Sequence, residues 1–153
     1  MYDRPTANEL LEAARMHMET AVIPVVRDNR KLYFQTLVAI NVMKIVEREL
    51  DLGAKHAEAE WGRLNALEGV ELPLPNSLQQ IQAGLAERNA ALSAQIREGE
   101  YTDEEKRAAL FDHLLATTVE QLTVANPRFL GKIQQEMQDP TLDAWEGRNE
   151  GQS

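Results

Sequence analysis

The sequence predicts an all-α protein, a single-domain helical bundle of five to six helices, and three observations lead to this prediction. Apolar residues recur at intervals of three and four along most of the chain, the spacing of one helix face. Ser or Thr stands three residues before Glu or Gln at several predicted helix starts. Aromatic residues make up only 5% of the 153 residues, so the core must use aliphatic side chains, which favours helices.

Caps and helix-breaking residues predict where the helices begin and end. A Ser or Thr side chain at a helix start accepts a hydrogen bond from a free backbone N–H of the first turn. Glycine ends a helix because it adopts the left-handed conformation without strain, and proline because it has no N–H to donate. The predicted starts are Thr6, Asp28 or Asn29, Ala54, Ser77 and Thr102, and the predicted stops are Pro24, Gly53, Gly69, Gly99 and Asn126-Pro127.

The second predicted helix, from about residue 29 to Gly53, is the most apolar segment. Apolar residues cover most of its circumference, so we predict it to be the central and most buried helix. It is either surrounded by the other helices or forms the seam of a homodimer. Its apolar residues are Phe34, Leu37, Val38, Ile40, Val42, Ile45, Val46 and Leu50.

The predictions for the C-terminal part follow the same periodicity. The fifth helix is expected to turn Leu110, Phe111, Leu114, Leu115, Thr118 and Leu122 inward, and Phe129, Leu130, Ile133 and Met137 predict a short sixth helix. The bundle domain is therefore expected to span residues 1–138. Residues 139–153 are polar and contain glycine, which predicts a disordered tail.

Composition argues against several classes of function. A net charge of −9 opposes binding to nucleic acid or to an anionic membrane, because neutralising phosphates requires clustered Lys and Arg. The absence of cysteine removes disulfides, thiol nucleophiles and zinc–thiolate sites, and a cytoplasmic location is expected. The longest apolar run, residues 37–46, is interrupted by Asn41 and Lys44 and is far shorter than the roughly 20 residues of a membrane helix.

No pattern of residues points to catalysis, a cofactor or a metal. A carboxylate-bridged metal centre in a helical bundle needs Glu-x-x-His pairs, and none of the three histidines follows a glutamate by three residues. We therefore predict no catalytic residue and no metal ligand. His56 and His113 are expected on solvated flanks, whereas His17 shares a face with apolar residues and is expected to point inward, as a core or interface histidine or as a ligand contact.

Asn41 is the residue of most interest, because it interrupts the apolar run of the second helix. A buried amide needs a hydrogen-bond partner and can fix helix register or dimer pairing. The alternative is that Asn41 lines a ligand pocket. Arg27, Arg30 and Lys31 cluster at the start of the same helix, where they form either a solvated corner or a phosphate-binding site.

Three stretches together resemble a known family: residues 3–11 (DRPTANELL), residues 41–50 (NVMKIVEREL) and residues 125–130 (ANPRFL). They resemble a bacterial family of uncharacterised helical proteins, and the resemblance covers most of residues 1–138. Members are often encoded beside aminoglycoside-phosphotransferase-like kinases and acyl-CoA dehydrogenases. The resemblance implies an accessory protein acting with such an enzyme, but it implies no active-site residues.

Two hypotheses of function follow. The first is a non-catalytic accessory or regulatory protein that acts with a phosphotransferase-like kinase or an acyl-CoA dehydrogenase. The second is a bundle that binds an acyl or phosphorylated metabolite, with Asn41, His17, Arg27, Arg30 and Lys31 as contacts.

Overall fold

The computed structural model describes residues 4–138, and every regular element in this range is a helix. The elements are α1 (Ala7–His17), a π-helical turn (Met18–Val22), α2 (Ile23–Val26), α3 (Arg30–Glu68), α4 (Leu78–Glu98), α5 (Glu104–Ala125) and α6 (Pro127–Met137). The all-α, single-domain prediction is confirmed. The predicted disordered tail, residues 139–153, lies outside the described residues.

The long helix α3 departs most from the predicted boundaries. It runs through Gly53 for 39 residues, a length of about 58 Å, so the predicted stop at Gly53 and the predicted start at Ala54 are wrong. A glycine inside a helix costs only about 1 kcal/mol, and helices packed on both sides of this position offset that cost. The helix ends instead at Gly69, whose φ of 65° is the left-handed conformation that glycine tolerates.

The helix starts follow the predicted caps with one shift. Thr6 and Glu9 form the reciprocal capping box, Asn29 caps α3 and Ser77 caps α4. The fifth helix begins one residue later than expected, because Asp103 rather than Thr102 accepts hydrogen bonds from the first turn. A carboxylate is the stronger acceptor at the positive end of a helix.

Pro24 does not end the first helix. The backbone N–H of Ile23 donates to the carbonyl oxygen of Met18, which gives the wider spacing of a π turn. This turn takes the chain past Pro24, which has no N–H to donate, and the helical path continues into α2.

Helix α3 is the axis on which α1, α2, α4 and α5 pack, whereas α6 packs on α5. α1 runs antiparallel along its first half, where Asn8 hydrogen-bonds Asp51 at 2.6 Å and Arg15 bonds Glu47 at 2.9 Å. α5 runs antiparallel along its second half. There Arg63 pairs with Glu120, while Arg48 donates to the carbonyl oxygen of Val124 at 2.6 Å.

The hydrophobic core lies in the second half of α3, where α4 and α5 both cover the helix. Leu64 at its centre is fully buried, and Trp61 packs so closely against α4 that only the missing side chain of Gly84 makes room for its ring. The buried residues of this core are Ala57, Trp61, Leu64, Ile81, Leu85, Leu92 and Leu110.

The first half of α3 is therefore not the most buried segment, and that prediction is wrong for the single chain. Only Thr36 and Ile40 are buried there. Four apolar side chains are between 42% and 66% exposed, so the elements packed along this half leave one face of the helix largely uncovered. We call these four the open face of α3: Phe34, Leu37, Val38 and Val42.

The inward face predicted for α5 is also wrong in part. Leu110 is buried as expected, but Phe111, Leu114 and Leu115 point outward and are between 44% and 63% exposed. His113 and Val124 are buried in their place. Helix α5 therefore presents a second uncovered apolar surface.

Candidate functional site

A depression lies where α5 turns into α6, beside the first half of α3. Its volume is about 260 Å³. We call it the junction depression. It is lined by Leu37, Ile40, Asn41, Lys44 and Arg48 from α3, and by Ala125, Asn126, Pro127 and Arg128 from the turn.

The charged side chains of the junction depression are all basic. Arg48 is held in place by its Nε, which donates to the carbonyl oxygen of Val124 and so caps the C-terminal end of α5. Lys44 pairs with Glu19 at 2.7 Å, which offsets part of its charge. Neither Arg48 nor Arg128 forms an ion pair with another described residue.

The structure separates the residues that the sequence singled out. Asn41 is exposed rather than buried and lines the junction depression. His17 is exposed at the end of α1, so the prediction of an inward histidine is wrong. Arg27, Arg30 and Lys31 are exposed around the start of α3, and none of them or His17 lines the junction depression.

A half-buried polar network joins α3 to α5. The guanidinium of Arg63 donates to both carboxylate oxygens of Glu120 and to the hydroxyl oxygen of Thr117. Its Nε has no hydrogen-bond partner among the described residues. Such a bidentate pair fixes the axial register of α3 against α5, because its two hydrogen bonds form only when the guanidinium and the carboxylate face each other in one geometry.

A second set of polar contacts joins α3 to α4. Arg88 donates to the carboxylate of Glu68 at 2.9 Å, and its guanidinium lies 4.8 Å from the ring centre of Trp61. Asn89 donates to Glu60 at 2.8 Å. These contacts hold α4 against the core rather than presenting reactive groups to solvent.

His113 is buried, with 4% exposure, so its predicted place on a solvated flank is wrong. Burial lowers the pKa of His113, and the nearby charge of Arg63 acts in the same direction. Its Nδ1 has no hydrogen-bond partner among the described residues. The structure places no serine, cysteine or lysine beside it in the adjoining cavity, whose lining is Arg63, Ala66, Leu67, Ala109, Asp112 and His113. A neutral, buried histidine in such surroundings has no nucleophile to activate.

A groove of about 420 Å³ between α3, α4 and α5 carries the acidic side chains Glu49, Glu60 and Glu120 together with His56. Two of the carboxylates are already engaged, Glu60 by Asn89 and Glu120 by Arg63. Within residues 4–138 no three acidic or histidine side chains converge as metal ligands would. The geometry therefore supports neither a metal centre nor acid–base catalysis by paired carboxylates in this groove.

Comparison with protein families gives one finding. Residues 28–129 match the family described as "Domain of unknown function (DUF6285)". The chain belongs to this family. The DUF6285 match begins at the residue before the cap of α3 and reaches the first turn of α6, so it contains the open face, the junction depression and both polar networks between the helices. The first resembling stretch, residues 3–11, lies outside it. Comparisons with curated proteins and with solved structures give no significant match.

For two polar residues of the DUF6285 domain, the sequence contains a signal of inward packing that the predictions above do not use. Arg88 falls three residues after Leu85 and four before Leu92, in a core position of the α4 stripe. His113 falls three residues after Leu110 in the same way. A polar side chain at an apolar interval indicates a buried hydrogen bond or ion pair.

None of the helices in the described part of the chain combines the length and the apolar composition that crossing a membrane requires.

Proposed function

We propose that this DUF6285 protein is a non-catalytic accessory protein that binds a partner enzyme through the open face of α3. The observation that carries the proposal is the exposure of Phe34, Leu37, Val38 and Val42 on one side of a well-formed helix. A contiguous apolar patch exposed on a helix indicates a protein-binding surface, because contact with water is unfavourable for the patch and a bound partner removes it from water.

The charges beside the open face indicate which partner surface fits it. Arg30 and Lys31 precede Phe34 by one helical turn, and Arg27 lies just before the helix. None of the three cations forms an ion pair with another described residue. We expect the partner to present an amphipathic helix whose apolar face is flanked by carboxylates at the corresponding end.

The class of partner comes from the family resemblance rather than from the geometry. A phosphotransferase-like kinase or an acyl-CoA dehydrogenase encoded beside the gene is the first candidate. The accessory protein then contributes binding and positioning, and the enzyme contributes the chemistry. This division agrees with the engaged carboxylates of the acidic groove and with a buried histidine that has no nucleophile beside it.

The test compares two charge insertions at similarly exposed apolar positions. Val38→Glu changes the open face, and Leu115→Glu changes the uncovered surface of α5, at exposures of 46% and 48%. With purified kinase or dehydrogenase in a calorimetric titration, Val38→Glu should weaken binding roughly tenfold or more, whereas Leu115→Glu should bind like the wild type. Circular dichroism confirms that both variants keep their helix content.

Three outcomes would contradict the proposed partner surface. The first is binding that Val38→Glu leaves unchanged, and the second is failure of both enzymes to bind. The third is a homodimer in light scattering that Val38→Glu converts to monomers, since this result would assign the open face to a second copy of the chain. Turnover of a substrate by the purified protein alone would contradict its non-catalytic role.

A further inference from the structure

We infer that the junction depression, which adjoins the open face of α3 at Leu37, is a binding site for a small anionic group, a phosphate or a carboxylate. Lys44, Arg48 and Arg128 line it together with the amide of Asn41, and no carboxylate lines it. This is a concentration of positive charge in a chain whose net charge is −9. Local positive potential in a concave surface attracts anions even when the whole protein is acidic.

Arg48 is the anchor of the site. Its single hydrogen bond among the described residues uses Nε, which donates to the carbonyl oxygen of Val124. The two amino groups at the end of the guanidinium are left to bind an anion in the forked geometry that suits phosphate and carboxylate. Because the side chain is already fixed to α5, little conformational entropy is lost when the anion binds.

The other contacts come from flexible or neutral groups. Arg128 is exposed and adds a second guanidinium from the opposite wall. Lys44 is shared with Glu19, so it contributes less than a full charge. Asn41 adds an amide that donates to an anion without adding charge.

The start of α6 contributes little to the site. Pro127 has no N–H, and the N–H of Phe129 is already bonded to the side chain of Asn126. The N–H of Leu130 is bonded to the carbonyl oxygen of Asn126. Apart from the backbone N–H of Arg128, the site therefore depends on its side chains, and substituting them is a direct test.

The size of the depression limits the ligand. At about 260 Å³ it is smaller than the roughly 300–1,000 Å³ of pockets that enclose a drug-sized molecule. It accommodates the anionic end group of a metabolite, with Leu37 and Ile40 as an apolar wall beside it. Leu37 also belongs to the open face, so a ligand longer than its anionic group would extend towards the proposed partner surface.

The test is an NMR titration of the full-length ¹⁵N-labelled protein with inorganic phosphate and, separately, with acetate, at constant ionic strength maintained with chloride. Saturable shifts of the amides of Asn41, Arg48 and Arg128 are expected with at least one of the two anions. Stronger binding of phosphate indicates a phosphorylated ligand, and stronger binding of acetate indicates a carboxylate. Either result supports the site.

Two substitutions make the result specific. Arg128→Gln should weaken the binding roughly tenfold, the effect of losing one charge-assisted contact. Arg107→Gln removes an arginine that is also exposed but does not line the depression, and it should leave the affinity unchanged. Both positions are at the surface, so both variants should fold.

Shifts that do not saturate, shifts confined to other residues, or equal affinity in Arg128→Gln and the wild type would each overturn the inference. Failure of the anion site leaves the partner proposal intact, because Val38→Glu tests that proposal on a side chain that does not line the depression.

Discussion

Replacing Gly84 with alanine should destabilise the protein, although alanine is the better helix former. A Cβ atom at this position would lie 2.7 Å from Cζ3 and 3.1 Å from Cη2 of Trp61. The indole ring has little room to move, since its N–H donates to the carbonyl oxygen of Leu72 and Arg88 lies against its face. Trp61 as a whole is only 8% exposed.

The magnitude follows from two opposing effects. Alanine gains about 1 kcal/mol over glycine in a helix interior, whereas overpacking of a rigid core typically costs about 1–3 kcal/mol. We expect a net loss of about 1 kcal/mol for Gly84→Ala, which lowers the melting temperature by about 3 °C in a chain of this length. The free energy of unfolding is measured by urea titration and the melting temperature by calorimetry.

Gly62→Ala is the matched control, because nothing lies within 4 Å of a Cβ atom built there. It should gain about 1 kcal/mol, so the two substitutions should differ by about 2 kcal/mol. In a Trp61→Phe background the penalty at Gly84 should shrink, since phenylalanine lacks the outer ring that approaches it. Equal stabilisation by both alanines, or coupling to Trp61 below about 0.5 kcal/mol, would refute the close approach of α3 and α4.

Three further predictions test other parts of the molecule. Gly53→Ala should raise the free energy of unfolding in urea titration by up to about 1 kcal/mol, because only the flexible Glu49 carboxylate must move to make room for the new methyl group. Destabilisation would instead favour the helix break that the sequence predicts. The free energy of unfolding should fall as the pH drops below about 6.5, because His113 takes up a proton in the unfolded chain and not in the buried ring. His113 contributes at most about 1.4 kcal/mol per pH unit to this fall. His113→Gln should make the dependence on pH less steep, and equal slopes in the variant and the wild type would contradict the prediction. Leu64→Ala should cost about 2–5 kcal/mol in the same titration, and a loss below about 1 kcal/mol would contradict its position at the centre of the core.

Sequence reasoning located the helix boundaries best where a local interaction decides them. The Thr6 capping box depends on neighbours within one turn, so the sequence contains all the information. Gly69 and Gly99 both adopt positive φ and end helices as predicted. Gly53 has the same local signal, but its outcome depends on helices packed along α3 before and after it, which local sequence does not encode.

The candidate site was harder to predict for a related reason. The sequence singles out Asn41, but Arg48 and Arg128, which line the same depression, are far apart in the chain. They come together because the turn from α5 to α6 lies beside α3. Arg63 and Glu120 are brought together by the packing of α5 on α3. Hydrogen bonds between distant residues follow from the packing of whole helices, so periodicity alone cannot pair them.

Periodicity also cannot separate a core face from a binding face, because both need the same apolar side chains at the same intervals. The two halves of α3 show the difference in energetic terms. Leu64 is covered by α4 and α5, whereas Val38 is nearly half exposed. Val38→Ala should therefore change the stability of the free protein by less than about 0.5 kcal/mol. If Val38 adds so little to folding stability while Val38→Glu weakens partner binding, partner recognition explains why this position is apolar. If Val38→Ala instead costs as much as a core substitution, the open face is covered in the free protein, and a second copy of the chain is the simplest cover.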